Sequence, residues 1–274
     1  MSKRKIAYKK VIMYTFLLFY LIFTLFPIVW IIQASFKTMH QIFQIPPQLF
    51  FEPTIEAYQK LFRGEIFQCF LNSIIIATMN TLFVILLSIP AGYSLSRYRN
   101  RVSKNLSFWI LSLRFAPAFA MILPFYLMMY HLRLIDTIFA VVLAHMIFNL
   151  PLAIWFLMGY FNELPIEIEE AAMIDGADRT QVMLKIVVPT STPMIFAVAI
   201  LVFLFSWNEF LFAFLLTSRD ARTVPVLILS LTGTMKLDWP MMCAISTIAI
   251  IPAIIFVGYV QKYIVRGLTL GALK

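Results

Sequence analysis

The sequence predicts an all-α integral membrane protein with six transmembrane helices and a folded helical hairpin between the fourth and the fifth. Three observations carry that expectation. Of the 274 residues, 62% are hydrophobic and 13% charged, where a soluble domain has about 45–50% apolar and about 25% charged residues. Six apolar runs reach the roughly 20 helical residues that a bilayer core about 30 Å thick requires. Those runs are continuously apolar, whereas a membrane barrel needs segments of about 10 residues that alternate.

The first ten residues carry Lys3, Arg4, Lys5, Lys9 and Lys10. The apolar run behind them, 11–33, is longer than the 7–15 residues of a secretory signal, so it reads as an uncleaved first helix. The others are 71–94, 106–130, 137–161, 193–216 and 239–263. Together they make a single membrane domain over 11–264, followed by a tail at 265–274.

Loop charge sets orientation. With the N-terminus inside, the inner loops hold Lys3, Arg4, Lys5, Lys9, Lys10, Arg97, Arg99, Arg101, Lys104, Arg179, Lys185, Lys262, Arg266 and Lys274. The outer loops hold Lys37, Lys60, Arg63, Arg133, Arg219, Arg222 and Lys236. Fourteen against seven predicts a multi-pass plasma membrane protein with both termini cytoplasmic. The net charge of +9 is thereby loop charge and not a nucleic-acid patch.

Two loops exceed plain turns. The external segment 36–70 holds Pro46, Pro47 and Pro53 among aromatics, and reads either as a stiff cap over helix ends or as a docking surface. The cytoplasmic segment 162–192 runs against the inside charge rule with Glu163, Glu167, Glu169, Glu170, Asp175 and Asp178. It reads as a hairpin of two short helices. Pro165 suits a first turn, Ile166–Ile174 is a short amphipathic stretch, and Asp175-Gly176 marks a turn. Asp178 caps a second helix through Val188, which Pro189 ends. An acidic folded hairpin fits a basic socket in a soluble partner.

The chain has no GxxxxGK[ST], HExxH or GxSxG motif and no ladder of intramembrane carboxylates. It is therefore expected not to be an enzyme, and any energy for transport enters from another chain. Cys69 and Cys243 have no metal-type spacing, and no metal site is expected. His145 is read as a hydrogen-bonded packing residue.

The hairpin spells Glu170-Ala171-Ala172, three residues, Gly176, nine residues, then Ile186-Val187-Val188-Pro189. This resembles the EAA motif of binding-protein-dependent ABC importers, E-A-A-x3-G-x9-I-x-L-P, with Val188 in place of the usual Leu. Trp207-Asn208-Glu209-Phe210, Arg114-Phe115-Ala116-Pro117, Asn149-Leu150-Pro151 and the ending Gly267 to Lys274 are similar to the carbohydrate-uptake, maltose-type branch. The likeness covers nearly the whole chain apart from its first 35 residues.

That resemblance implies a permease subunit importing a sugar or sugar-like solute. The implied partners are a second homologous permease, two cytoplasmic ATP-binding-cassette ATPase subunits that use ATP and Mg, and an extracytoplasmic solute-binding protein. No cofactor is implied for this chain. Glu170, Ala171, Ala172, Asp175, Gly176, Ile186 and Pro189 would form the ATPase-coupling hairpin; Thr269, Gly271 and Lys274 would reach the ATPases from the tail. An importer for glycerol phosphate, a polyol or another solute is the alternative, and a lone secondary transporter a further one.

Polar groups at membrane depth are costly and mark pathways or helix contacts. At 1.5 Å per residue, Arg114 and Asn149 fall at a common depth, about 12 Å from the inner edge. Glu209 falls nearer the outer mouth, beside Asn208. These four either line a cavity for solute hydroxyls or hold the bundle together.

Overall fold

A computed structural model describes the backbone of residues 2–61, 64–98, 100–232 and 238–271, with side chains described within 8–258. Among the described residues every regular element is helical. In chain order these are α1 (Ser2–Ser35), α2 (Met39–Ile42), α3 (Glu56–Leu61), α4 (Glu65–Arg97), α5 (Arg101–Leu113), α6 (Ala118–His131) and α7 (Ile138–Glu163). There follow α8 (Ile166–Ile174), α9 (Arg179–Val182), a π-helical turn at Met183–Val187, α10 (Val188–Thr190) and α11 (Thr192–Trp207). Last come α12 (Leu211–Leu216), α13 (Val224–Ser230) and α14 (Trp239–Gly271).

Among the described residues, four helices are long and apolar enough to cross a membrane, and up to six spans result if each of two bent pairs counts as one. The chain divides into two compact units, residues 1–67 with 228–251, and residues 68–227 with 252–274.

In the first unit, α1 leaves the apolar side chains from Tyr8 to Phe26 uncovered on every face, an arrangement suited to lipid. The segment behind it is folded around Lys37. That side chain is buried, donates to the Gln48 carbonyl at 2.7 Å, and sits 4.7 Å from the Phe51 ring centroid and 5.4 Å from that of Trp30. Aromatic faces and a carbonyl replace the water lost by the ammonium. Ser35 and Tyr58 share a hydrogen bond of 2.7 Å, and Thr54 donates to the Phe36 carbonyl at 2.8 Å. Lys37, counted above only as outer-loop charge, is thus a packing residue of the 36–70 segment.

The second unit is built on α4, α7 and α11. Close approach of α4 and α7 depends on Gly92, where a Cβ would lie 3.1 Å from the Met158 nitrogen and 3.4 Å from the Ile154 carbonyl oxygen. One apolar cluster gathers Ile76, Phe125, Met129, Val141, Phe212 and Leu216. A second, nearer the hairpin, gathers Val84, Tyr93, Leu157, Phe161, Val182 and Val202. Buried amides stitch α4 to a loop and to α7: Asn72 donates to the carbonyls of Asp220 and Arg222, and Asn80 to that of Val142.

The third and fifth spans differ from the uninterrupted helices expected over 106–130 and 193–216. Between α5 and α6 the chain turns through 91°. Pro117 has no N–H and disfavours helical backbone at Ala116. The preceding turn closes instead through three i→i−3 bonds, from Arg114, Phe115 and Ala116 to the Leu111, Ser112 and Leu113 carbonyls. The fifth span stops at Trp207 and resumes as α12 beyond Asn208-Glu209-Phe210. The 179–190 segment turns through 78° into α11.

Facing the start of α7, the 217–223 loop is organised by Asp136. Its carboxylate accepts from the Ser218 hydroxyl at 2.6 Å and from the amides of Ser218, Arg219, Asp220 and Ala221 at 3.0–3.1 Å. Burial pushes the Asp136 carboxyl up, but the hydrogen bonds of Ser218, Ala221 and Asp220 outweigh it and hold the pKa far below the usual carboxylate range. A depressed folded pKa contributes stability that is complete above the unfolded value of about 3.9 and is lost as pH falls below it. Asn tolerates the left-handed backbone at 136 (φ 61°), so Asp136→Asn isolates the charge. Allowing for solvent screening of this partly exposed site, it should cost about 1–2 kcal/mol of loop ordering. Hydrogen exchange of 217–223 at pH 7 should rise in the variant, and acidification to about pH 3 should bring wild type toward it. Equal exchange at pH 7 would refute this role.

Candidate functional site

The hairpin between α7 and α11 carries most of the residues singled out in the sequence. Helix α8 ends in a Schellman motif, in which Ala177 N–H donates to the Ala172 carbonyl and Gly176 N–H to that of Met173. Gly176 takes φ +93° with no atom within 4 Å of a built Cβ. Its requirement is therefore backbone freedom, not space. Asp178 caps α9, as the sequence predicts, and does so in a capping box with Gln181.

Two local readings need correction. Pro165 precedes the first turn of α8 as its N-cap. Pro189 does not end the second helix, which runs on to Thr190. Pro189 offers no N–H to the carbonyl four residues back and would clash with it, and the π-helical turn at Met183–Val187 accommodates the ring. The chain breaks at Ser191 instead, whose N–H closes on the Val187 and Val188 carbonyls.

Glu170, Ala171, Asp175, Gly176 and Pro189 are exposed, and Ala172 and Ile186 half-buried. The neighbouring Glu169 is 3% exposed. Its carboxylate receives Nε and Nη2 of Arg97 at 2.9 and 2.5 Å and the Tyr93 hydroxyl at 2.8 Å. Arg97 also donates to the Phe161 carbonyl at 2.8 Å. One buried cluster thus ties α8 to the ends of α4 and α7. Sequence reasoning counted Arg97 as loop charge and Glu169 as hairpin acidity; their separation by 72 positions hides the pairing.

The membrane-depth polar residues meet at the two helix breaks. Arg114, Asn149 and Glu209 line one cavity of about 210 Å³, together with His145. Asn208 is not among its lining residues; it is exposed, and its side chain bonds back to the Leu204 carbonyl at 2.8 Å. Glu209 closes the α11–α12 break by accepting from the amides of Phe212 and Ala213 at 2.9 and 3.1 Å, the orphan donors of a new helix start. Its Oε2 also meets His145 Nε2 at 2.9 Å, while His145 Nδ1 meets the Ser206 hydroxyl at 2.6 Å. His145 therefore has the hydrogen-bonded packing environment expected of it, and it also borders the cavity. Asn149 donates to Asn80 at 2.9 Å. Thr269 and Gly271 lie on α14 with side chains not described, and Lys274 lies outside the described residues.

A helical membrane chain with a folded polar hairpin and a charge-lined cavity at two broken spans has the build of a transporter's membrane subunit. Residues 85–270 match the binding-protein-dependent transport system inner membrane component family, and the chain belongs to that family: a membrane-spanning transport component, not an enzyme, of the plasma membrane. It is 37% identical to the trehalose/maltose transport system permease protein MalG of Thermococcus litoralis, covering 92% of each chain. It is 34% identical to the trehalose transport system permease protein SugB of Mycobacterium tuberculosis, covering 92% of this chain and 93% of that one. Its fold matches, at TM-score 0.78 and 24% identity over 95% of this chain and 98% of that one, a crystal structure of a bacterial ABC transporter involved in import of the acidic polysaccharide alginate.

Proposed function

We propose that this chain is one of two membrane subunits of an ATP-driven importer for a sugar or sugar-like solute, with both termini in the cytoplasm. The observation that carries the proposal is the hairpin: its exposed face presents Glu170 and Ala171 next to the Gly176 turn, while its buried face is anchored by Glu169. A short helix fixed on one side and small and acidic on the other suits insertion into a basic cleft. Two ATPase subunits holding ATP and Mg would receive this hairpin and that of a second, homologous permease. A binding protein would deliver the solute from outside. The names of the trehalose, maltose and alginate relatives support the sugar reading. The 14-to-7 charge bias supports the orientation. Thr269, Gly271 and Lys274 are proposed as further ATPase contacts.

Purification from mild detergent, tagged in the 36–70 segment, should recover a second permease and a P-loop ATPase. Glu170→Lys should leave the chain folded and reduce solute-stimulated ATP hydrolysis about tenfold or more, since a reversed charge against a basic cleft costs several kcal/mol. Gly176→Val forces a β-branched residue to positive φ, and should have a similar effect. Recovery of the chain alone, or undiminished stimulation in both variants, would defeat the coupling assignment.

A further inference from the structure

We infer that the cavity at the two broken spans is a subsite for one saccharide ring, with Arg114 as its ligand for paired acceptor oxygens. The inference rests on the sugar reading proposed above and adds that this subunit itself holds part of the solute. The volume, about 210 Å³, lies below the roughly 300–1,000 Å³ of pockets for drug-sized ligands, and so suits a single ring unit.

The polar groups at the cavity are not equivalent. Both oxygens of Glu209 are occupied, by two helix amides and His145. Both ring nitrogens of His145 are engaged, and the Asn149 amide nitrogen is committed to Asn80. These three are wall and scaffold. Arg114 differs. Among the described residues its guanidinium has no carboxylate partner, and the one hydrogen bond of the side chain is from Nη1 to the Phe148 carbonyl at 3.3 Å. A guanidinium has five N–H donors, so most of the fork is unengaged at a depth where an unsatisfied Arg is costly.

Its guanidinium carbon lies over the Phe205 ring, 5.2 Å from the ring centroid. Phe148, Phe205 and Phe212 supply the apolar walls. A flat apolar face beside a largely unengaged donor fork fits a sugar ring, which offers C–H faces and an edge of vicinal oxygens. A neutral sugar supplies hydroxyl pairs and a uronate a carboxylate, and the fork accepts either.

The test uses the reconstituted complex with its ATPase and binding protein. Uptake of labelled maltose, trehalose and an alginate trisaccharide is measured alongside binding-protein-stimulated ATP hydrolysis. Arg114→Ala should lower uptake about tenfold or more, as expected for lost charge-assisted hydrogen bonds, with the solute-dependent part of hydrolysis falling alongside it. Arg114→Gln retaining uptake identifies hydroxyl ligands, and Arg114→Lys alone retaining it identifies a carboxylate. Should Arg114→Ala fail to assemble, Ala118→Phe, which fills the cavity from the α6 side, decides: blocked uptake supports the subsite. Normal uptake in Arg114→Ala, or in Ala118→Phe where the former fails, overturns the inference and leaves the importer reading intact. No saccharide uptake by the wild-type complex would overturn the sugar reading and the subsite together.

Discussion

Glu169→Ala is expected to destabilise the protein more than any change at the exposed Glu170. Truncation leaves the Arg97 guanidinium, 5% exposed, without its carboxylate, and the Tyr93 hydroxyl without its acceptor. Removing one partner of a buried pair costs about 3–5 kcal/mol, because the remaining charge is uncompensated. The Phe161 carbonyl still accepts from Arg97, which places the expected cost toward the lower end. The melting temperature of the detergent-purified chain should fall by several degrees, and α8 should become protease-sensitive. Replacing both partners, as Arg97→Met with Glu169→Met, should recover most of the melting temperature, since the penalty lies in the orphaned charge. Glu170→Ala, on the same helix, should melt as wild type. If Glu169→Ala and Glu170→Ala melt alike, the anchoring role is refuted.

Glu209→Ala is the second large effect. It strands the Phe212 and Ala213 amides and removes the partner of His145 Nε2, all within a broken membrane span. At about 1–3 kcal/mol for each of the three buried groups left unsatisfied, the sum reaches roughly 3–9 kcal/mol before relaxation. Water entering the cavity would recover part of it. Glu209→Gln keeps one carboxamide oxygen for an amide and should lose less than half as much. Thermal melting monitored by size-exclusion chromatography measures both. An alanine variant no worse than the glutamine variant would show that the break is held by its surroundings and not by this carboxylate.

Local chemistry explains what was readable in the chain. Apolar runs long enough to span, the acidic hairpin, the Asp178 cap and the Gly176 turn all depend on neighbours within a few positions. Their signals therefore survive without a fold. The structure moved such features by one or two residues, as at Pro165 and Pro189; at Pro189 the π-helical turn at Met183–Val187 absorbs a strain that a simple stop rule assigns to helix termination.

Spacing alone also brought Arg114 and Asn149 to one depth. Whether either faces a cavity depends on helix rotation and on the breaks at Pro117 and Asn208. The 91° turn between α5 and α6 converts an apparent single span into two elements around a void. A proline in a long apolar run is equally compatible with a mild kink, so that angle was not legible.

The sequence by itself determined the membrane class, the approximate spans, the hairpin and the family likeness, because each is written in composition or in residues close along the chain. Only the tertiary structure decided which charges are structural. Lys37 settles among aromatic faces, Arg97 finds Glu169, and Asp136 gathers the 218–221 amides, each against partners from 7 to 85 positions away. Burying a charge is tolerated only where such partners replace its water, and that replacement exists only once the helices have packed.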